Sequence, residues 1–155
     1  MNTKNFFQSA KGKLYIILSF VFWMIAEYIT VWHSKLGEWL KTMPYGLLQF
    51  ILIILIFYFL FFRLKWSEKK VFIIMLVVMY FFEIVLWQQI ALAITIYGSL
   101  LLISIWGFVT FVPFWIVNKS IREHKWQTIY YSLWILVAII MGLMLYFKMF
   151  SISIW

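Results

Sequence analysis

Residues 71–117 read VFIIMLVVMYFFEIVLWQQIALAITIYGSLLLISIWGFVTFVPFWIV and contain no Lys or Arg. An apolar helix needs only roughly 20 residues to cross about 30 Å of hydrocarbon, so this stretch is too long for one crossing and must fold back. Two breaks are available, the polar pair Gln88–Gln89 and the triplet Tyr97-Gly98-Ser99. The stretch therefore predicts two membrane-spanning helices, at about 71–91 and 99–117.

Three further apolar runs, at about 14–32, 46–62 and 129–147, predict three more spans. The first run contains Glu27 and has no small-x-small cleavage site behind it, which favours a retained helix over a signal peptide. Hydrophobic residues make up 66% of the chain, and a soluble fold of this size cannot bury so much apolar surface. The predicted fold class is an all-α, polytopic transmembrane helix bundle of five spans, forming one integral membrane domain over residues 1–155.

The distribution of basic residues predicts the orientation of this bundle. If the N-terminus is cytoplasmic, ten basic residues fall on that side: Lys4, Lys11, Lys13, Arg63, Lys65, Lys69, Lys70, Lys119, Arg122 and Lys125. Three fall outside: Lys35, Lys41 and Lys148. The positive-inside rule therefore favours a cytoplasmic N-terminus and an outer C-terminus, in the cell membrane. Because the basic residues form short clusters between apolar runs, without a basic face interleaved with aromatic residues, we expect no nucleic-acid partner.

The segment between the first two spans has a pattern of its own. Leu36, Trp39, Leu40 and Met43 recur at helical spacing. This pattern predicts a short amphipathic helix in the outer interface that ends near Pro44. The alternative is an ordinary loop anchored by Trp39.

Glu27 and Glu83 are acids within predicted spans. An acid near the bilayer centre costs on the order of 3 kcal/mol on insertion scales, so it usually faces the bundle interior and serves a purpose. Glu27 lies about thirteen positions into its span and Glu83 about twelve into its own. At 1.5 Å of helix rise per residue the two carboxyls lie at similar depth, so they could approach one another.

Polar and aromatic residues surround these acids in the outer half of the predicted bundle. The candidate ligand- or proton-binding residues are Glu27, Glu83, Trp23, Thr30, Gln49, Tyr80, Trp87, Gln88, Gln89 and Ser99. The predicted spans contain no Lys, Arg or His that would neutralise the acids. Three interpretations stay open: neutral hydrogen bonding between helices, binding of a proton, cation or amine, and catalysis.

Other chemistry is excluded or lacks a pattern in the sequence. The chain has no Cys, which excludes thiolate chemistry and Cys-ligated metals. His33 and His124 lie on opposite sides of the membrane in the predicted topology, so they cannot share a metal. We predict no catalytic residue, metal site or cofactor, although deep aromatic residues such as Trp23 and Trp106 could line a pocket for a bound lipid or isoprenoid.

Three functional classes follow from this sequence. The first is a non-catalytic membrane component, either a subunit of a larger membrane complex or a binder of a hydrophobic ligand. The second is a small transporter or channel that couples to protons or cations through Glu27 and Glu83. The third is an intramembrane enzyme that modifies lipids. The expected partners are the lipid bilayer, larger membrane subunits, or a second copy that contacts the small residues Ala138 and Gly142.

Overall fold

The computed structural model describes residues 10–28, 36–86 and 95–146, and within these ranges the regular structure is entirely helical. The all-α prediction is therefore confirmed. The helices are α1 (Ala10–Glu27), α2 (Leu36–Tyr58), α3 (Glu68–Tyr80), α4 (Ile96–Val117), α5 (Lys119–Arg122) and α6 (Lys125–Tyr146). Turns of π-helix extend α2 over Phe59–Arg63 and α3 over Phe81–Leu86.

In the described part of the chain, two helical segments are long and apolar enough to cross a membrane, Gly46–Arg63 and Gly98–Val117. They coincide with the predicted second and fourth spans. Two such helices do not by themselves separate a membrane protein from a soluble protein with apolar core helices. The count of five spans and the orientation therefore stay predictions.

The prediction that the amphipathic segment ends near Pro44 is wrong, and so is the alternative of a plain loop. Helix α2 begins at Leu36, contains Pro44 and continues to Tyr58. A proline inside a helix removes one backbone hydrogen bond and crowds the carbonyl four residues earlier. Pro44 is exposed, and the long apolar run behind it supplies enough packing for the helix to continue. Helix α4 likewise contains Pro113 and extends to Val117.

Helix α4 occupies the centre of the bundle because it is apolar on every side. It carries no charged residue, and it packs against α1, α3 and α6, while α1 also packs against α2. A helix that is hydrophobic all round is buried by its neighbours. Some of its polar groups bond within the helix, as when the Ser104 hydroxyl donates to the Leu100 carbonyl at 2.7 Å, whereas the buried Thr110 hydroxyl and Trp115 indole N–H have no hydrogen-bond partner among the described residues.

Aromatic contacts bring several helix ends together at one end of the bundle. Tyr15 near the start of α1 contacts Phe61 and Phe62, with ring centroids 5.9 and 5.4 Å apart. Phe61 also stacks on Phe114 of α4 at 3.9 Å. The Lys and Arg residues near the start of α1, the end of α2 and the start of α3 therefore lie together at this end, which we call the basic end.

Helix α6 lies at the edge of the bundle with most of its apolar side chains uncovered. Exposed residues on α6 include Ile129, Leu133, Leu136, Val137, Ile139, Ile140 and Leu143. Its inner side contacts α4 closely, because a Cβ atom added at Gly107 would lie 2.5 Å from the nearest ring carbon of Trp134. Ala138 and Gly142, the predicted dimer contact, belong to α6, but their surroundings lie outside the described part.

Candidate functional site: an aromatic cluster around Glu83

Glu83 lies in the π-helical turn that extends α3. Turns of this kind are rare and frequently occur at functional sites. The side chain is only 5% exposed. The indole Nε1–H of Trp106 donates a hydrogen bond to Glu83 Oε1 at 2.9 Å. The carboxyl therefore links the end of α3 to the middle of α4.

The indole that donates this bond is enclosed by other aromatic rings. Trp23 of α1 meets Trp106 edge to face, with centroids 5.2 Å apart and an interplanar angle of 82°. Phe50 of α2 stacks on Trp23 with ring centroids 4.8 Å apart, and the Phe82 ring lies 6.1 Å from that of Trp106. These four rings and Glu83 form the Glu83 cluster, to which α1, α2, α4 and the extension of α3 all contribute.

Glu27 lies near this cluster, one helical turn after Trp23. It is half-buried and close enough to Glu83 for the two carboxyls to interact electrostatically. The sequence placed these two acids at similar depth. Like charges repel most strongly where water is excluded, and binding of a proton or a cation by the pair stays a prediction.

Further polar residues lie beside the cluster. The Tyr80 hydroxyl donates to Ser99 Oγ at 3.2 Å, which is a second bond between α3 and α4. Thr95 caps the start of α4, where its hydroxyl accepts from the Gly98 backbone N–H at 3.0 Å. Gln49 is half-buried and precedes Phe50 on α2. The other predicted site residues, Thr30, Trp87, Gln88 and Gln89, lie outside the described residues.

Sequence reasoning missed a second carboxyl interaction, at the basic end. The Tyr131 hydroxyl donates to Glu68 Oε2 at 2.6 Å, and this bond joins the first turn of α3 to α6. The Tyr131 side chain is fully buried and stacks against Trp115, with ring centroids 6.0 Å apart. No sequence signal pairs Tyr131 with Glu68. They are 63 positions apart, and neither lies in a motif that predicts such a partner.

Within the described residues, no group of three His, Cys, Asp or Glu side chains could hold a metal ion. The chain matches no family model, no curated protein and no solved structure. Its function is therefore inferred from the arrangement of its own residues.

Proposed function

We propose that the protein is a small multi-pass integral membrane protein of the cell membrane that acts by binding and not by catalysis. In this role it is a subunit of a larger membrane complex or a binder of a hydrophobic ligand. The observation that carries the proposal is the Glu83–Trp106 hydrogen bond. Through this bond, the most deeply buried acid of the described part joins two helices, as a structural hydrogen-bond acceptor does.

The outer surface supports the same proposal. Helix α6 presents exposed apolar side chains along several turns, from Ile129 to Leu143. Contiguous apolar surface of this extent is typical of contact with lipid or with another membrane protein. The basic end supports the proposed orientation, since basic residues gather on the cytoplasmic side of membrane proteins.

Single introduced cysteines test the topology, because the chain has no Cys of its own. In intact cells, a membrane-impermeant maleimide should label Gly37→Cys and Ile96→Cys, since Ile96 is 78% exposed and lies between the predicted third and fourth spans. It should label Ser67→Cys and Ser120→Cys only after permeabilisation. Gly37 suits this use because nothing lies within 4 Å of its added Cβ. Release of the protein by alkaline carbonate, or labelling of Ser67→Cys from outside, would contradict the proposal.

Cross-linking from α6 tests the role as a subunit. Photoactivatable maleimides attached to Leu136→Cys and Leu143→Cys should form adducts of defined mass in native membranes, with a larger subunit or with a second copy. The matched control is Val77→Cys, which is at least as exposed on α3 as Leu136 and Leu143 are on α6. If all three variants give the same adducts, or none, α6 is not a partner surface and the subunit form of the proposal fails.

A second candidate function, proton- or cation-coupled transport, is favoured by the proximity of Glu27 to Glu83. It is tested with purified protein in liposomes that contain a pH-sensitive dye, under imposed sodium or potassium gradients. Glu27→Gln and Glu83→Gln should each abolish the coupled flux. Glu123→Gln should not, because Glu123 lies on the surface and pairs with Lys119 at 3.7 Å. Full flux in the double variant Glu27→Gln/Glu83→Gln would exclude this candidate.

A further inference from the structure

A groove opens at the basic end between α3, α4 and α6, away from the Glu83 cluster. Its volume is about 470 Å³, and it is lined by Glu68, Lys69, Phe72, Ile73, Phe111 and Tyr130. The lining is mostly apolar, with the acid and the base together in the first turn of α3. A groove of this kind is amphipathic along its length.

The two charged residues have opposite signs and different surroundings. Lys69 is exposed, whereas Glu68 is half-buried and is held in place by the hydrogen bond from Tyr131. A purely anionic headgroup would meet Lys69 favourably but would be repelled by the carboxylate of Glu68. A headgroup without charge would leave both side chains unmatched. Charge complementarity therefore selects a headgroup that carries one negative and one positive charge.

We propose that this groove binds a zwitterionic glycerophospholipid of the ethanolamine type. The Lys69 ammonium donates hydrogen bonds to the phosphate, and the Glu68 carboxylate accepts a hydrogen bond from the ammonium of the lipid. An acyl chain lies against Phe72, Ile73 and Phe111. The site names a ligand for the proposed binding function and rests on the membrane location proposed above.

The groove also lies at the depth that such a lipid requires. The predicted third span begins at Val71, so Glu68 and Lys69 fall in the headgroup region, and Phe72 and Ile73 begin the hydrocarbon region. Long basic side chains near the ends of spans extend to the headgroup level. The order of charged and apolar residues along α3 thus follows the order of chemical groups along a phospholipid.

The test is lipid competition followed by native mass spectrometry of the full chain released from nanodiscs. Three probes with identical acyl chains are offered: an ethanolamine phospholipid, a glycerol phospholipid and a diacylglycerol. The wild-type chain should retain the ethanolamine lipid about fivefold over each of the others, the upper range for a partly exposed ion pair. Equal retention of the three, or preference for the anionic lipid, would overturn the proposal.

Variants assign the preference to the groove. Lys69→Gln should lose most of the fivefold preference over diacylglycerol, whereas Lys70→Gln, which changes a neighbouring exposed Lys outside the groove, should keep it. Glu68→Gln should shift the preference toward the anionic lipid, and Glu123→Gln, which removes an exposed acid outside the groove, should not. Equal effects of Lys69→Gln and Lys70→Gln, or an unchanged preference in Glu68→Gln, would overturn the proposal.

Two bulky substitutions test the proposal if the charge variants do not fold. Ile73→Trp fills the groove and should reduce retention of the ethanolamine lipid about fivefold. Val77→Trp, one turn further along the same exposed face, should leave it unchanged. Carbonate extraction of the same preparations separates the two proposals. A membrane-embedded chain without lipid preference refutes the groove site alone, and an extracted chain refutes the membrane function.

Discussion

The hydrogen bond between Trp106 and Glu83 should couple the two residues energetically. Trp106→Phe removes the donor and leaves a buried carboxyl oxygen without its partner, while Glu83→Leu removes the acceptor of the indole N–H. Each change should cost about 1–3 kcal/mol for the unsatisfied group, and Trp106→Phe costs more because the smaller ring loses contact with Trp23. The double variant removes both polar groups, so it should be less destabilised than the sum of the two.

The expected coupling is about 1.5 kcal/mol. Hydrogen bonds between helices in membrane proteins average about 0.6 kcal/mol in such cycles and reach about 1.7. The Glu83–Trp106 bond belongs near the upper value because its 2.9 Å distance is near ideal for an N–H···O bond and both side chains are almost fully buried. The Tyr80–Ser99 bond is longer and partly buried, so Tyr80→Phe and Ser99→Ala should couple by only about the average.

The assay is reversible unfolding in mixed micelles, applied to the wild type, the single variants and the double variant of each cycle. Additivity within about 0.5 kcal/mol for Glu83 and Trp106 would refute the reasoning. A third variant, Glu83→Gln, keeps a carbonyl oxygen where the indole donates. If the carboxyl is a neutral structural acceptor, this variant should lose less than about 1 kcal/mol. A larger loss would indicate that Trp106 donates to a charged group.

Two other contacts give predictions measured by the same unfolding assay. Gly107→Ala should destabilise the fold by about 1–3 kcal/mol, because its Cβ would overlap the Trp134 ring. Gly37→Ala should be neutral or stabilising by up to about 1 kcal/mol, since its Cβ meets only open space. Equal changes in the free energy of unfolding for the two alanine variants would contradict this account. Tyr131→Phe should cost about 1.5–3 kcal/mol, because it removes a short bond to the Glu68 carboxylate, and a loss under 0.5 kcal/mol would contradict it.

Hydropathy predicted helix positions well where apolar runs are long and their ends are marked. The predicted span at 99–117 corresponds to α4, Ile96–Val117. The structure begins it three residues earlier because Thr95 caps the helix, a signal that the sequence analysis did not use. Proline was the poorer guide. Pro44 predicted a helix end, yet the apolar residues that follow it keep α2 continuous.

The sequence predicted the depth of the candidate site in the membrane but not the contacts between its side chains. Counting residues along two helices placed Glu27 and Glu83 at similar depth, and the structure has their carboxyls interacting electrostatically. The role of Trp106 as the donor to Glu83 depends on how α3 and α4 are rotated about their axes. The π-helical turn that carries Glu83 has no marker in the sequence. Whether the pair binds a ligand stays a prediction.

The rotation of α3 shows what a buried acid contributes to such a bundle. Its buried stripe, Val71, Met75 and Met79, is apolar, and so is its exposed stripe, Ile73, Val77 and Phe81. The two faces differ too little in hydrophobicity for apolar burial to choose between them, and in a bilayer lipid would solvate either one equally well. Glu83 continues the buried stripe at the same four-residue spacing.

Turning the helix by half a revolution would expose the Glu83 carboxyl to hydrocarbon and separate it from Trp106, at a cost on the order of 3 kcal/mol on insertion scales. Helix α1 differs, because its buried stripe contains the hydroxyls of Tyr15 and Ser19 as well as Trp23, so Glu27 continues a stripe that is already polar. Glu83 therefore specifies the orientation of an otherwise ambiguous helix, and this structural role is enough to explain its burial whether or not it binds a proton or a cation.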